Sequence, residues 1–377
     1  MTAAERDALR ERFPRVAISH EWLTIPGGSE KVVLQLLELF PHADIYTSVY
    51  DPEPWPPAIR DARVRASFLN RVPGAARIYP RLLPLMNAAF ESFDLSAYDL
   101  VLSSNHACAK NVITLPGTLH VCYCHTPMRY AWEPSLLTGE RLGRAERLLL
   151  PLLLGRLRRQ DLVASSRPDH YVANSRHVAA RIRKYYRRES TVIHPPVDVE
   201  PLLATRRTEG DYYLYLGRLV PYKRPDVAVA ACARLDRPLK VVGGGRGGQE
   251  LSDLAGPRTE FLGRLGDAEL RELLAGARAL LFPGEEDFGI VPVESLAAGV
   301  PVIAYGVGGV RDSVTDGVTG VLYDEPGVDG LVAAIGRFEE ARFDEAELRA
   351  HARQFAPERF RDQMARLLTT YDQEVTQ

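Results

Sequence analysis

The sequence predicts an α/β fold with parallel sheets, arranged in two domains. Short apolar runs typical of buried strands alternate with helical patterns along the whole chain, and this alternation favours parallel sheets. A length of 377 residues is sufficient for two domains. The paired prolines Pro195 and Pro196, followed by a polar stretch over residues 205–210, predict the domain boundary, which we place after Asp198.

The apolar runs place the strands in order along the chain. In the first domain, residues 1–198, we expect strands at 16–19, 100–104, 120–124 and 170–175, and the segment 191–198 closes the domain. In the second domain, residues 199–356, we expect strands at 212–216, 239–242, 259–262, around 281 and at 302–305. A last helix is predicted from Pro357 towards Tyr371.

Composition excludes several classes of protein. Charged residues make up 25% of the chain and hydrophobic residues 46%, as in ordinary soluble proteins. The polar N-terminus is not followed by a signal-peptide core, and no apolar run is long enough to span a membrane. We therefore expect a cytoplasmic protein with reduced, packed cysteines. A zinc site at Cys122, Cys124 and His125 is an alternative, but their crowded spacing on one strand favours packing.

Charge is distributed unevenly. Residues 1–200 contain 26 Lys and Arg against 21 Asp and Glu, whereas the remainder contains 21 against 28. The basic excess lies within residues 141–188, and it favours an anionic partner such as membrane lipid, a lipid diphosphate or nucleic acid. Within it, residues 147–159 fit either an interfacial membrane helix or a buried helix with a basic end. Pro151 disfavours the membrane helix, because it interrupts the amphipathic period.

Two acidic residues eight positions apart, Glu286 and Glu294, give the strongest indication of a binding site. Glu286 lies on a loop that leaves a buried strand, and Glu294 is predicted in the first turn of a helix starting near Pro292. Both are expected at the carboxyl edge of the second sheet, where open α/β sheets bind ligands. The amides of Gly289 and Ile290 suit a phosphate there, and the carboxylates suit sugar hydroxyls.

Two cations are expected at the same sheet edge. Gly217, Arg218 and Lys223 follow the first strand of the second domain. Two fixed cations suit a diphosphate, which gains negative charge when it leaves a substrate. The alternative is a pair of surface side chains that extend into solvent. We prefer the binding hypothesis because the acidic loop lies at the same edge.

Glycine-rich loops and one histidine are less specific. Residues 243–248 match G-x-G-x-x-G, but no acidic residue ends a following strand at the usual distance, so a tight turn near a ligand fits as well as dinucleotide binding. Gly27 and Gly28 can bring amides close to a ligand or form only a flexible turn. Glu30 is expected at the start of the next helix, where a carboxylate is simply stabilising. His125 ends a strand, and both a structural and a catalytic role are open.

Together these motifs resemble those of the retaining family-four glycosyltransferases, and the resemblance covers nearly the whole chain. Its most specific part is Glu286 and Glu294 with Phe288, Gly289 and Ile290 between them, followed by residues 298–304. The segments 27–30, 173–175, 192–198 and 217–223 also match, in the expected order. The resemblance implies two facing Rossmann-like domains with an inter-domain cleft, the acceptor in the first and the donor in the second. The last helix, 357–377, would then pack back on the first domain.

The resemblance also implies roles for individual residues. Arg218 and Lys223 would hold the donor diphosphate. Glu294 would hydrogen-bond the ribose and Glu286 a hydroxyl of the donor sugar. His125 would contact the transferred sugar near its reacting carbon. The other donor-binding residues are Gly27, Gly28, Gly217, Asp287, Phe288, Gly289 and Ile290; many members have glycine at the position of Asp287.

The segments 125–132 and 285–290 are similar to those of bacterial mannosyltransferases of O-antigen and exopolysaccharide assembly, whose usual donor is GDP-mannose. The implied reaction is transfer with retention at the anomeric carbon by front-face attack, in which the leaving diphosphate accepts the acceptor's proton. Since no Asp-x-Asp stands at a plausible metal position, we expect no metal and no other cofactor. We also expect a lipid-linked or polysaccharide glycan acceptor, and an anionic membrane surface as a partner of Arg156, Arg158, Arg159, Arg183 and Lys184.

Other functions are left open by the residues alone. The same fold could use a UDP-sugar donor, or could serve a sugar-nucleotide epimerase or a phosphorylase. An epimerase would release an epimerised sugar without any acceptor. A nucleic-acid-binding protein is disfavoured because residues 141–188 contain no recognised binding module. A dinucleotide oxidoreductase would rest on the glycine match alone.

Overall fold

The computed structural model describes residues 2–133, 144–208, 210–245 and 248–375. The chain divides into two compact units, one of residues Met1–Pro196 with Glu358–Gln377 and one of residues Val197–Pro357. The predicted boundary after Asp198 differs from this division by two residues. In the part of the chain that the structure describes, no helix is both long and apolar enough to cross a membrane.

Strands and helices alternate along the described residues. The strands are β1 Val16–His20, β2 Asp44–Thr47, β3 Val64–Ala66, β4 Leu100–Asn105, β5 Leu119–Cys124, β6 His170–Ala173, β7 Thr191–Val192, β8 Tyr213–Leu216, β9 Leu239–Val242, β10 Thr259–Gly263, β11 Ala279–Phe282, β12 Val302–Tyr305 and β13 Gly320–Tyr323. The helices are α1 Ala3–Arg12, α2 Gly28–Leu39, α3 Pro57–Arg60, α4 Ala75–Ile78, α5 Leu83–Glu91, α6 Arg129–Trp132, α7 Arg144–Ala164, α8 Arg176–Tyr186, α9 Glu200–Leu203, α10 Pro225–Arg234, α11 Gly248–Leu254, α12 Asp267–Gly276, α13 Ile290–Ala297, α14 Val310–Ser313, α15 Val328–Glu340, α16 Glu345–Ala352 and α17 Pro357–Val375.

The first unit is built on a parallel sheet with strand order β3-β2-β1-β4-β5-β6-β7. Ile18, Leu102 and Tyr123 pack with α2 and α17 in one core. On the opposite face, Ala17 and Val101 pack with α5 and α7 in a second core. Because successive residues of a strand point to opposite faces, covering both faces requires the continuous apolar runs seen in the sequence.

The last helix, α17, belongs to the first unit. Phe360, Met364 and Leu368 are buried in the core that also contains Ile18 of β1. Their spacing of four residues places them on one stripe of the helix, so that α17 buries one face against the sheet.

The second unit has a parallel sheet with strand order β10-β9-β8-β11-β12-β13. Leu214, Leu280 and Val302 pack with α13 and α16 on one face. Tyr215 and Ile303 pack with α10 and α15 on the other. Both units are therefore Rossmann-like, with helices on both faces of a parallel sheet, and the predicted α/β fold is confirmed.

Several elements differ from the sequence-based expectation. The strands β2, β3 and β13 were not predicted. β2 begins with an aspartate and β13 with a glycine, residues that are unfavourable in strands, and β3 has only three residues. In the segment 191–198, which closes the first domain, only Thr191–Val192 forms a strand, and Pro195 and Pro196 lack the N–H groups needed to continue the ladder.

Pro151, which was predicted to interrupt the amphipathic period, lies inside α7 and does not end the helix. A proline in a helix interior removes one main-chain hydrogen bond. Leu154 and Leu157, in the turns that follow, are buried in the core against α5. We attribute the continuation of the helix to this packing, which offsets the missing bond.

Candidate functional site

In the second unit the strand order reverses between β8 and β11, which are neighbours in the sheet. The crevice outside the carboxyl ends of such a pair is where open α/β sheets bind ligands. The loop after β8 contains Gly217, Arg218 and Lys223, and the loop after β11 contains Glu286. The structure therefore brings the predicted cations and the first predicted carboxylate to the same edge.

An ion pair joins these two loops. The Lys223 ammonium donates to Oε1 of Glu286, and the two side chains are only 18% and 19% exposed. Partial burial makes such a pair stronger than one on an open surface. The other carboxylate oxygen of Glu286 has no hydrogen bond to any residue that the structure describes. The pair thus fixes a cation and leaves an acceptor beside it.

Arg218 is exposed, in contrast to Lys223. Its guanidinium donates to the hydroxyl of Tyr222 and lies 5.8 Å from the centre of that ring. The Lys223 ammonium lies 5.7 Å from the same ring. Tyr222 therefore holds both cations close to one aromatic ring. Two neighbouring cations suit two adjacent phosphoryl groups.

The loop carrying Glu286 is held by close backbone packing. The Gly309 amide donates to the Glu286 carbonyl at 2.8 Å. A Cβ at Gly308 would lie 2.4 Å from the Glu286 carbonyl oxygen, and one at Gly309 would lie 2.1 Å from the Asp287 carbonyl oxygen. Only glycine fits at such distances, so the loop after β12 fixes the acidic loop. The Asp287 side chain itself is half-buried.

The helix that follows, α13, begins at Ile290, two residues earlier than predicted. Glu294 is therefore the fifth helical residue and lies in the second turn. Pro292 is third in the helix, where its missing N–H is one that has no helical partner in any case. Gly289 caps the helix with a positive φ of 86° and no side-chain cap, so the first amides of α13 are available to an anion. Phe288 is buried, which leaves its backbone as the group that can meet a ligand.

Close backbone packing requires glycine at two positions of the loop after β9. A Cβ at Gly243 would lie 1.9 Å from the Gly217 carbonyl oxygen, and one at Gly245 would lie 2.2 Å from that of Leu219. This contact explains both glycines without a dinucleotide. Residues 246 and 247 of the G-x-G-x-x-G match lie outside the described residues.

In the first unit the strand order reverses between β1 and β4, and a chain of polar side chains lies there. The register pairs His20 of β1 with Ser104 of β4. Nδ1 of His20 is 3.1 Å from the Ser104 hydroxyl, which in turn is 2.9 Å from Nε2 of His125. On its other side, Nε2 of His20 is 3.2 Å from Oε1 of Glu30, in the first turn of α2.

Burial and charge shift the pKa values of two of these hydrogen-bonded side chains, His125 and Glu30. Burial first, and the nearby His106 and His20 after it, together lower the pKa of His125 to about 3. For Glu30, burial alone would raise the pKa, but the hydrogen bond and charge of His20 more than offset this and lower it to about 2. At neutral pH His125 is therefore neutral and Glu30 ionised.

The sequence did not reveal the roles of His20, Ser104 and Glu30. Glu30 was expected only to stabilise α2, but its side chain is buried and bonded to His20. Gly27 precedes α2 in an extended conformation, and a Cβ there would lie 3.0 Å from Oε2 of Glu30. Gly28 is the first residue of the helix, so both predicted glycines lie at its N-terminus.

A second acidic residue at this edge, Glu21, fixes the loop after β4. Its carboxylate accepts hydrogen bonds from the four consecutive amides of residues 106–109, at 2.6 to 3.1 Å. The His106 ring lies 6.4 Å from the His125 ring and 4.7 Å from that of Trp22. Glu21 thus places an aromatic group beside the predicted sugar-contacting histidine.

All four cysteines, Cys108, Cys122, Cys124 and Cys232, are free and buried, as predicted. Burial raises the pKa of the Cys108 and Cys124 thiols. Within residues 2–133, 144–208, 210–245 and 248–375, no group of three His, Cys, Asp or Glu side chains is placed to hold a metal ion. The alternative of zinc at Cys122, Cys124 and His125 therefore has no support from the geometry.

Two protein families match consecutive parts of the chain. The family described as Glycosyltransferase Family 4 matches residues 26–201, and the one described as Glycosyl transferases group 1 matches residues 204–359. The D-inositol 3-phosphate glycosyltransferase of Mycobacterium marinum is 30% identical over 192 residues, which cover 44% of this chain and 41% of the relative. Glycogen synthase of Mycobacterium tuberculosis is 37% identical over 161 residues, 39% of each chain. These matches span less than half the length of either relative.

Two solved structures are similar in fold. A structure of Anabaena HepE in complex with UDP has a TM-score of 0.69 and 17% sequence identity, covering 94% of this chain and 100% of that chain. The lipopolysaccharide outer core galactosyltransferase WaaB has a TM-score of 0.66 and 15% identity, covering 95% and 99%. At these identities the likeness concerns the fold alone.

Proposed function

We propose that this chain, whose two parts match a family 4 and a group 1 glycosyltransferase family, transfers a hexosyl residue from a nucleoside-diphosphate sugar to a glycan acceptor. The observation that carries the proposal is the Lys223–Glu286 pair at the reversal of strand order between β8 and β11. It supplies a cation for phosphate and a carboxylate for sugar hydroxyls at one point, beside the uncapped start of α13.

In the proposed reaction the bond from the anomeric carbon to the diphosphate breaks, and a bond to the acceptor oxygen forms on the same face of the sugar. The acceptor's proton goes to the leaving phosphate oxygen. Lys223 and Arg218 stabilise the charge that develops on this diphosphate, which is where electrostatic catalysis has its largest effect. Glu286 accepts a hydrogen bond from a sugar hydroxyl, Glu294 one from the ribose, and His125 contacts the transferred sugar. The two cations take the part that a divalent ion plays in other transferases.

For the donor we propose GDP-mannose, on the resemblance of residues 125–132 and 285–290 to bacterial mannosyltransferases. The competing proposal is a UDP-sugar, since Anabaena HepE was solved with UDP. For the acceptor we propose a lipid-linked glycan. Retention is tested by the anomeric configuration of the product, measured by NMR.

A thermal-shift panel of GDP, UDP, ADP and TDP sugars tests the donor. A ligand at 100 times its Kd stabilises the native state by about 2.7 kcal/mol. For a domain of this size we expect GDP-mannose to raise Tm by roughly 5–10 °C. A rise with UDP-glucose instead would contradict the GDP-mannose proposal and would be consistent with the proposed transferase activity. No rise with any nucleotide sugar would contradict the proposed site, and formation of an epimerised sugar without acceptor would favour an epimerase.

We further propose that the enzyme binds the inner face of the cell membrane peripherally, through an exposed stripe of α7. Leu149, Leu152, Arg156, Arg159 and Val163 fall within about 80° of the helix circumference, at 100° per residue. The three apolar side chains are 60%, 72% and 63% exposed, and both arginines are exposed. A stripe of this mixed character suits an interface with anionic lipid.

The other predicted basic residues contribute less to this surface. Arg158 is half-buried, and its Nε donates to the Ala131 carbonyl at 2.6 Å. Arg183 forms an ion pair with Glu189. Lys184 is exposed. Residues 141–143, at the start of the basic segment, lie outside the described residues.

Vesicle flotation tests the membrane proposal. We expect the protein to float with anionic vesicles and to dissociate as salt is added, because each basic residue contributes on the order of 1 kcal/mol that salt screens. Leu152→Glu should abolish flotation. Leu254→Glu, at a leucine that is 49% exposed in the second unit, is the matched control and should float normally. Equal recovery with neutral and anionic vesicles, or none with either, would refute the proposal.

A further inference from the structure

The chain of hydrogen bonds in the first unit contains three side chains to which the proposed reaction gives no role. Glu30, His20 and Ser104 are all buried, and they lead in that order to His125. They come from α2, β1 and β4, so that three separate elements converge on one histidine. The position of the His125 ring therefore depends on side chains from these three elements as well as on its own loop.

Which atom donates in each of these hydrogen bonds is determined by the neighbouring hydrogen bond. The ionised Glu30 can only accept, so the proton of His20 must lie on Nε2. If His20 holds one proton, its Nδ1 accepts from the Ser104 hydroxyl. The Ser104 oxygen then accepts from Nε2–H of His125. Since His125 is neutral, its Nδ1 is left with a lone pair.

A second proton on His20 reverses the two later bonds. Nδ1–H of His20 would then donate to the Ser104 oxygen, and the Ser104 hydroxyl would donate to Nε2 of His125. The single proton of neutral His125 would move to Nδ1. A hydroxyl can act in both ways because it has one donor and two acceptor positions. Within the described part of the chain no group bonds Nδ1 of His125, so this atom is the one that can meet a ligand.

We propose that His20 is a positioning residue that sets, through Ser104, which ring nitrogen of His125 carries the proton. With one proton on His20, His125 presents an acceptor for a sugar hydroxyl; with two, it presents a donor. This consequence for the sugar rests on the proposed function, whereas the control of the His125 proton does not. Glu30 can only accept a hydrogen bond, and it therefore determines which atom donates in each bond from His20 to His125.

Other charged and titratable groups lie around His20. Glu30 of α2 contacts it, and Glu21 follows it in the chain and binds the amides after β4. His106, on the loop after β4, interacts electrostatically with Glu30 and with His20. Burial lowers the pKa of His106, so that this ring is neutral beside the chain at neutral pH.

Nitrogen NMR of the full chain labelled with ¹⁵N-histidine tests the inference, since protonated and unprotonated ring nitrogens have distinct shifts. His125→Gln identifies the His125 signals. We expect a single His125 tautomer in the wild type and a mixture in Ser104→Ala, with a single tautomer restored in Ser104→Thr. Glu30→Gln should also change the tautomer, although Glu30 does not touch His125, because an amide can either donate or accept.

Ser103→Ala is the matched control. Ser103 lies next to Ser104 on β4, and its hydroxyl is 2.9 Å from Nε2 of His120, so the variant loses a bond of the same kind on the other face of the sheet. It should leave His125 unchanged. If Ser104→Ala and Glu30→Gln both kept the wild-type tautomer, the inference would be wrong.

Activity separates this inference from the proposed function. We take the scale of the effect from metal-bound histidines, where loss of the outer hydrogen-bond partner costs roughly 10- to 100-fold. We expect Glu30→Gln to lower kcat by that factor with little change in KM for the donor. A tautomer change in a protein with no transferase activity would uphold the inference and overturn the function. Transfer activity with an unchanged tautomer would do the opposite.

Discussion

Replacing Lys223 by alanine is expected to lower kcat for sugar transfer by roughly 100- to 1000-fold, or about 2.7–4 kcal/mol. The reason is that Lys223 is held in place before any ligand binds, by its ion pair with Glu286 and by burial of four fifths of its side chain. A cation fixed at the leaving diphosphate need not reorganise as charge develops. Measured kcat with saturating donor and acceptor is the relevant quantity.

The control for this prediction is Arg234→Ala in α10 of the same unit. Arg234 is paired with Asp329, but the two side chains are 58% and 72% exposed, and such pairs contribute little. We expect normal kcat for this variant. Glu286→Gln should be impaired as well, because it loses the charge that fixes Lys223. Full turnover of both Lys223→Ala and Glu286→Gln would show that the reaction takes place elsewhere.

The second-unit site could be predicted from sequence because its determinants are local. The apolar runs that form β8 and β11 are each followed by a glycine-containing loop with charged residues, so their carboxyl edges can be located without a structure. What the sequence could not give is the contact between them: Lys223 and Glu286 are 63 residues apart, and their ion pair depends on β8 and β11 being neighbours.

The hydrogen-bonded side chains of the first unit show more clearly what cannot be predicted from the sequence. His20 and Ser104 are 84 residues apart and meet because β1 and β4 pair in one particular register. A shift of one residue would bring Ser103 opposite His20 and turn it to the other face. The apolar pattern of β4 is continuous, so nothing in it distinguishes the two faces. Glu30 lies in the first turn of α2, where a carboxylate stabilises a helix, as expected. That rule takes no account of burial, so it did not predict the hydrogen bond to His20.

A buried ion pair also holds the first unit together, close to the carboxyl end of β4. Lys110, after β4, donates to Asp161 of α7, and both side chains are fully buried. Asp161 also accepts from Nε1 of Trp132 at 2.6 Å and from the Tyr186 hydroxyl at 2.8 Å. Burial alone would lower the pKa of Lys110, but the charge and hydrogen bond of Asp161 raise it, so the Lys110 ammonium stays charged. One carboxylate thus ties α6, α7 and α8 to the loop after β4.

Removing one partner of this pair should be strongly destabilising. We expect Lys110→Met to cost about 3–5 kcal/mol, since it leaves the Asp161 carboxylate buried without a counter-charge. In a scanning experiment that corresponds to a fall in Tm of roughly 6–20 °C for the first unit.

The double variant Lys110→Met with Asp161→Asn separates the charge from the hydrogen bonds. It has no buried charge and keeps an oxygen for Trp132 and Tyr186, so it should recover most of the loss, because a neutral replacement of a buried pair is often tolerated. Arg183→Ala is the control, since its ion pair with Glu189 is 66% and 78% exposed and should contribute less than about 1 kcal/mol. Equal Tm values for Lys110→Met and Arg183→Ala would mean that α7 and the loop after β4 are held by apolar packing alone.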